Sequence, residues 1–290
     1  MTKKVLIFGA SGMLGHRLMS SLAAHYSVSA TVRMPAPALE ALAKKSGATL
    51  ISGIEADNTA QLEAAFDRVK PDVAINCIGV VKQLQSANSP LVAIPINSVL
   101  PHRLAELAAQ RGARFIHFST DCVFGGDAGP YSEASVPDPR DLYGRSKLLG
   151  EVSRADALTV RTSIIGHELT APTGLLEWIL RNRGNAVYGY ARALYTGVTT
   201  NYMATALVRL IDEFPRLSGV WHLSAEPISK FDLIELVDEI YGLGMQVARD
   251  EYFVCDRRLD STPLRQKTGI VPPSWPDMIA AMRTEHGAVN

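Results

Sequence analysis

The chain has 290 residues, 47% of them hydrophobic, and its 29 basic residues balance 29 acidic ones. That length buries one large core, or a nucleotide-binding core with a smaller lobe packed on it. A formal charge of zero leaves no net field to draw in nucleic acid or anionic lipid, so both are excluded as partners, and a charged ligand has to be recognised locally.

The three cysteines, Cys77, Cys122 and Cys255, lie far apart and outside any C-x-x-C spacing. This argues against a disulfide framework or a structural zinc site and for a reducing, cytoplasmic setting. The apolar run after Met1-Thr2-Lys3-Lys4 stops at Gly9, too short for a secretory signal, and no later run reaches the ~20 residues of a membrane span.

Residues 5–8 form a continuous apolar run, the pattern of a parallel strand buried on both faces. Leu14, Leu18 and Leu22 then mark one face of a helix over residues 13–24, and residues 26–32 return to β-type composition, completing a βαβ unit. The alternation continues with helices expected over 38–45, 59–69, 95–111 and 143–154, and strands over 49–51, 73–77, 114–119 and 158–162. Six strands separated by helices predict an α/β fold, a Rossmann doubly wound parallel sheet.

Beyond residue 165 glycines and Pro172 break the rhythm, pointing to a smaller C-terminal lobe built around a ligand. Helices are expected there over 175–181, 202–214 and 230–241. Residues 219–224 read as a further strand of the main sheet, so the two parts interleave. The expected division is a dinucleotide-binding domain over 1–165, with segments returning near 190–225, and a substrate lobe over most of 166–290.

Gly9-Ala10-Ser11-Gly12-Met13-Leu14-Gly15 sets three glycines between the first strand and the first helix. One glycine permits the tight turn, one lets the backbone approach a pyrophosphate, and one lets helix pack on strand, while N–H groups and the helix dipole hold the anion. Gly9, Ser11, Gly12, Met13, Leu14 and Gly15 are therefore candidate cofactor-binding residues. An acid at the end of the second strand would bind a ribose 2′-hydroxyl. Ala30-Thr31-Val32-Arg33 has none and offers a guanidinium suited to a 2′-phosphate, so NADP(H) is favoured over NAD(H). The plainer reading of Arg33 is a solvated strand-end charge.

Tyr143-Gly144-Arg145-Ser146-Lys147 puts a phenol and an ammonium on one helix face, downstream of a strand ending in Ser119-Thr120-Asp121. A cation beside a phenol lowers its pKa, so Lys147 is expected to bring Tyr143 toward neutrality, with Tyr143 passing a proton to a carbonyl oxygen and Thr120 hydrogen-bonding to it.

With these residues the chain resembles the extended short-chain dehydrogenase/reductases, and within them the dTDP-4-dehydrorhamnose reductases and related nucleotide-sugar reductases. The resemblance is carried by Gly9 to Gly15, Asn76-Cys77-Ile78-Gly79, Asn97, Phe118 to Phe124, Tyr143 to Glu151 and Arg161-Thr162-Ser163. It implies that Thr120, Tyr143 and Lys147 are catalytic and that Cys77, Ile78, Gly79, Asn97 and Ser163 join Tyr143 and Lys147 on the cofactor. It also implies a 4-keto-6-deoxy sugar on a nucleoside diphosphate as substrate, Asp121 beside it, and a homodimer. The family's STDYVF segment has Cys122 in place of its tyrosine, and its RTSWVY segment reads Arg161-Thr162-Ser163-Ile164-Ile165-Gly166.

In the lobe, Arg181, Arg183, Arg192 and Arg258 are candidates for a substrate diphosphate, against the plainer reading of surface arginines. His167, with Glu168 and Trp178, is a candidate for the sugar pocket, against a satisfied polar pair and a core indole. None of the seven histidines has the H-E-x-x-H spacing, so no catalytic metal is expected. Two other readings stay open: an epimerase or dehydratase that retains NAD, and a non-catalytic NADP-binding regulatory protein.

Overall fold

The computed structural model describes residues 2–82, 85–170 and 172–289. Its first half runs β1 (Lys4–Phe8), α1 (Met13–Leu22), β2 (Ser27–Thr31), α2 (Pro37–Ser46), β3 (Thr49–Ile51), α3 (Thr59–Val69), β4 (Val73–Asn76), α4 (Pro90–Ala93), a π-helical segment (Ile94–Val99), α5 (Leu100–Gln110), β5 (Arg114–Thr120), α6 (Leu142–Leu149) and β6 (Ala157–Thr162). There follow β7 (Ile164–Ile165), α7 (Leu175–Arg181), β8 (Ala186–Tyr195), β9 (Val198–Thr199), α8 (Thr200–Asp212), β10 (Gly219–His222), β11 (Ile228–Ser229), α9 (Lys230–Tyr241), β12 (Gln246–Asp256), α10 (Thr262–Thr268) and α11 (Trp275–Val289).

Seven parallel strands form the main sheet in the order β10-β6-β5-β4-β1-β2-β3, a Rossmann-like doubly wound arrangement. Val5 and Ile7 point into the core shared with α1 and α8, Leu6 and Phe8 into the core shared with α3 and α5, and all four are fully buried. A strand covered on both faces has no polar side to show, hence the unbroken apolar run. The order reverses between β1 and β4, and the loops leaving these strands open a crevice, the ligand position of such sheets. β10 returns to the sheet edge beside β6, as its sequence indicates.

Two elements differ from expectation. The helix expected over 95–111 starts at Pro90 and passes through the π turn, where Leu100 N–H donates to Pro95 O. Prolines lack the N–H that a regular ladder uses: Pro101 cannot donate to Asn97 O four residues earlier, which leaves that carbonyl open. Gly150 closes against it, where a Cβ would stand 1.9 Å from Asn97 O. The helix expected over 143–154 spans Leu142–Leu149 and is capped by Gly150. Outside the main sheet, β11, β8 and β12 form a second sheet that hydrophobic periodicity did not resolve. Among the described residues no helix is long and apolar enough to cross a membrane.

Candidate active site

The turn after β1 is built by its glycines. Gly9 has φ +92°, which favours glycine, and Gly15 packs so closely that a Cβ there would lie 1.9 Å from Gly9 O. Gly12, at φ −77°, meets only Gly9 O at 3.7 Å, so the space above it is open. Ser11 and Gly12 are exposed, Met13 is half-buried, and Leu14 sends its side chain into the core. An exposed backbone turn leading into α1, with room above Gly12, fits a dinucleotide pyrophosphate. Arg33 is exposed just past β2. Cys77 and Ile78 are half-buried and Gly79 exposed along the opposite rim.

Across the crevice, Asp141 caps α6 by accepting from Gly144 N–H at 2.8 Å and pairs with Lys82 at 2.7 Å. A Cβ on Gly144 would lie 2.2 Å from Cys122 O, so glycine at this position lets α6 approach the turn after β5. The approach brings the Tyr143 side chain close to Thr120. Thr120 Oγ1 also donates to Asp121 Oδ1 at 3.1 Å and accepts from Cys122 N–H at 3.1 Å. One turn along α6, Lys147 Nζ donates to Phe118 O at 2.6 Å. The structure thus brings Thr120, Asp121, Tyr143 and Lys147 to the carboxyl end of β5.

The electrostatics depart from the expectation for the phenol. Burial, the Cys122 thiol and the Asp121 and Asp141 carboxylates push the Tyr143 pKa above its ordinary value, with the Thr120 hydrogen bond opposing. Lys147 is turned to a carbonyl, and burial lowers it to about 8 while Glu151 and Cys77 oppose. Tyr143 therefore holds its proton across the neutral range, the state a proton donor needs.

Asn97, in the π segment, is buried behind this constellation. Its Nδ2 donates to Val80 O and Ser146 Oγ, both at 3.1 Å, and its Oδ1 accepts from Val80 N–H at 2.9 Å. It fastens the β4 loop to α6. Ser163 is half-buried; its carbonyl accepts from Val198 N–H at 2.9 Å, and its side chain meets the Tyr195 hydroxyl.

Other candidates are engaged elsewhere. The Arg258 guanidinium makes two hydrogen bonds to Asp256, at 2.8 and 2.6 Å, whereas Arg257 lies on the turn after β5, with Nε on Phe124 O at 2.9 Å. His167 meets the Tyr241 hydroxyl at 2.9 Å and Glu177 at 3.5 Å. The Glu168 carboxylate accepts from Thr173 and Gly174 N–H groups at 2.7 and 2.6 Å, so it closes a loop, and Trp178 is 37% exposed rather than core. Arg181, Arg183 and Arg192 are exposed, Arg192 on β8 beside Val254.

Three features were missed. Glu151 and Arg161 form a buried fork, 2.7 and 2.8 Å, with Ser119 Oγ donating to the same carboxylate at 2.6 Å. Lys230 of α9 and Tyr195 of β8 meet, the ammonium 3.5 Å from the ring centroid. Arg257 is the third. Only the fold brings these residues together, so no spacing in the sequence signals them. Among the described residues no group of three or more His, Cys, Asp or Glu is placed to hold a metal.

A doubly wound sheet, an open glycine turn at its switch point and a helix carrying Tyr143 and Lys147 give the fold and layout of a candidate dinucleotide site. The chain belongs to the RmlD substrate binding domain family, whose model matches residues 3–286. It is 33% identical over 202 residues to a dTDP-4-dehydrorhamnose reductase of Mycobacterium tuberculosis, covering 64% of this chain and 65% of that protein. It is 25% identical to methionine adenosyltransferase 2 subunit beta of Bos taurus, covering 96% and 89%. The chain spans about two-thirds of the length of several curated relatives it matches, 66% and 64% in two cases. Its fold is shared with dTDP-4-dehydrorhamnose reductase of Bacillus anthracis in complex with NADP (TM-score 0.78, 21% identity, 98% and 100% covered). It is shared too with Bordetella bronchiseptica WbmG in complex with NAD (TM-score 0.81, 18% identity, 99% and 95% covered).

Proposed function

We propose that this protein reduces the 4-keto group of a 6-deoxy sugar carried on a nucleoside diphosphate, with Tyr143 as proton donor. The observation that carries the reading is the meeting of Tyr143 and Thr120 at the end of β5, with Lys147 on the same face of α6. The glycine turn would hold the dinucleotide, which when bound supplies hydride to the carbonyl carbon. Tyr143 gives its hydroxyl proton to the carbonyl oxygen, completing the alcohol, and Thr120 hydrogen-bonds to that oxygen as charge develops. Lys147 keeps a positive charge behind the pair. The lobe, interleaved with the sheet, takes the sugar nucleotide.

NADP(H) is the preferred cofactor on this reading, held at the 2′-phosphate by the exposed guanidinium of Arg33. The Arg33→Ala variant should lose the preference in kcat/KM for NADPH over NADH; an unchanged ratio counts against it.

A second reading is favoured by the likeness over 96% of the chain to methionine adenosyltransferase 2 subunit beta: a nucleotide-binding regulatory subunit. A screen of dTDP-, UDP- and GDP-linked 4-keto sugars, followed at 340 nm, separates the two. Stoichiometric loss of NADPH with one of them supports the reductase. Turnover without net cofactor change points to an epimerase or dehydratase, and NADPH binding without turnover on any sugar supports the regulatory reading.

A further inference from the structure

We propose that Lys230 is a substrate-binding residue, its ammonium taking an anionic oxygen of the diphosphate that carries the sugar; this rests on, and deepens, the nucleotide-sugar reading above. Lys230 is the first residue of α9, whose start is fixed by Ser229 Oγ accepting from Asp232 N–H at 3.0 Å. From there the side chain reaches the face of Tyr195, 3.5 Å from the ring centroid. Tyr195 is buried and its hydroxyl meets Ser163, at the end of β6. Asp121 and Cys122, beside Thr120, and Cys255 of β12 are near enough to act on the Lys230 charge. The ammonium therefore stands where the lobe meets the end of β5.

An ammonium has three N–H donors and no acceptor, and a charge withdrawn from water calls for oxygen partners. Other lysines in the structure have them: Lys147 has Phe118 O, Lys82 has Asp141 and Lys3 has Asp212. Among the described residues Lys230 makes no ion pair or hydrogen bond and is held by an aromatic face and by the field of Asp121. Burial lowers it to about 8, which leaves it charged at neutral pH. The neighbouring arginines are committed, Arg257 to Phe124 O and Gly125 O and Arg258 to Asp256. Lys230 therefore keeps its three donors for an incoming anion at this end of the crevice. Cys122, a short side chain, lies close enough to act on the ammonium.

The test is calorimetric titration of dTDP, UDP, GDP, thymidine and free galacturonate into the NADPH-loaded protein and its Lys230→Met and Lys230→Arg variants. Removing one charge-assisted hydrogen bond to the diphosphate is expected to weaken dTDP and UDP binding by about tenfold or more in Lys230→Met, with Lys230→Arg close to the parent. Thymidine binding and NADPH affinity should not change, and the latter shows that the variant is folded. Equal diphosphate affinity in the parent and Lys230→Met overturns the assignment, as does a loss confined to galacturonate, which moves the interaction to a sugar carboxylate. A parent protein that holds NADPH but binds none of dTDP, UDP and GDP overturns the nucleotide-sugar reading along with it.

Discussion

Two alanine substitutions, three residues apart in one turn, should fail in opposite ways. At Gly15 the new methyl would stand 1.9 Å from Gly9 O, 2.8 Å from Gly9 C and 3.1 Å from Ala10 Cα, all backbone atoms of the turn itself, so no side chain can swing aside. Alanine's better helix propensity returns about 1 kcal/mol, while overpacking typically costs about 1 to 3 kcal/mol, and an approach this short to backbone lies at the upper end. A net loss of about 1 to 2 kcal/mol lowers Tm by about 2 to 3 °C in a chain of this size. At Gly12 the methyl meets only Gly9 O at 3.7 Å, and φ −77° is open to any residue, so Tm should not move. The methyl instead enters the space the pyrophosphate needs, and NADPH affinity should fall by about tenfold or more. Thermal melts without cofactor, with fluorescence titration of NADPH, read both quantities. Parent-like NADPH affinity in Gly12→Ala together with a parent-like melt in Gly15→Ala would refute the roles assigned to the turn.

The Glu151–Arg161 pair, with side chains 7% and 6% exposed, makes Glu151→Gln a stability variant: an unbalanced buried guanidinium costs about 3 to 5 kcal/mol, and urea denaturation should show it. A midpoint within error of the parent's would place the pair in water. Lys147, lowered to about 8 by burial, is charged below that pH and neutral above it, so kcat should fall as pH rises through about 8. Tyr143, shifted up, keeps its proton over the same range and does not cause the fall. In Lys147→Arg, whose guanidinium stays charged, the alkaline limb should disappear; an unchanged limb rules out Lys147 as its source.

Local chemistry was legible from the chain. The fully apolar 5–8 run forms the central strand β1, the glycines at 9 and 15 build the tight turn after it, and Tyr143 and Lys147 lie one turn apart on α6. Less legible was anything decided by a distant neighbour. The π turn follows from Pro101, which cannot donate to Asn97 O, and Gly150 at the end of α6 packs against that same carbonyl across 53 positions of sequence. Arg258 was read as free for a ligand, yet it pairs with Asp256 two residues earlier, and Arg257 beside it takes the turn after β5. The expected lowering of the phenol pKa failed for the same reason: spacing on a helix puts Lys147 one turn from Tyr143, but the carbonyl of Phe118 takes its ammonium and burial dominates the phenol. Lys230 and Tyr195, 35 positions apart, meet only through the packing of α9 against β8.

The central claim is that the phenol of residue 143 delivers the proton when a sugar ketone is reduced. A Tyr143→Phe variant keeps the ring and its packing and removes only the hydroxyl, so single-turnover oxidation of bound NADPH in the presence of a nucleotide-linked 4-keto sugar tests the claim directly. The expected result is NADPH affinity equal to the parent's with turnover slowed by about a hundredfold or more. Oxidation at the parent's rate would contradict it.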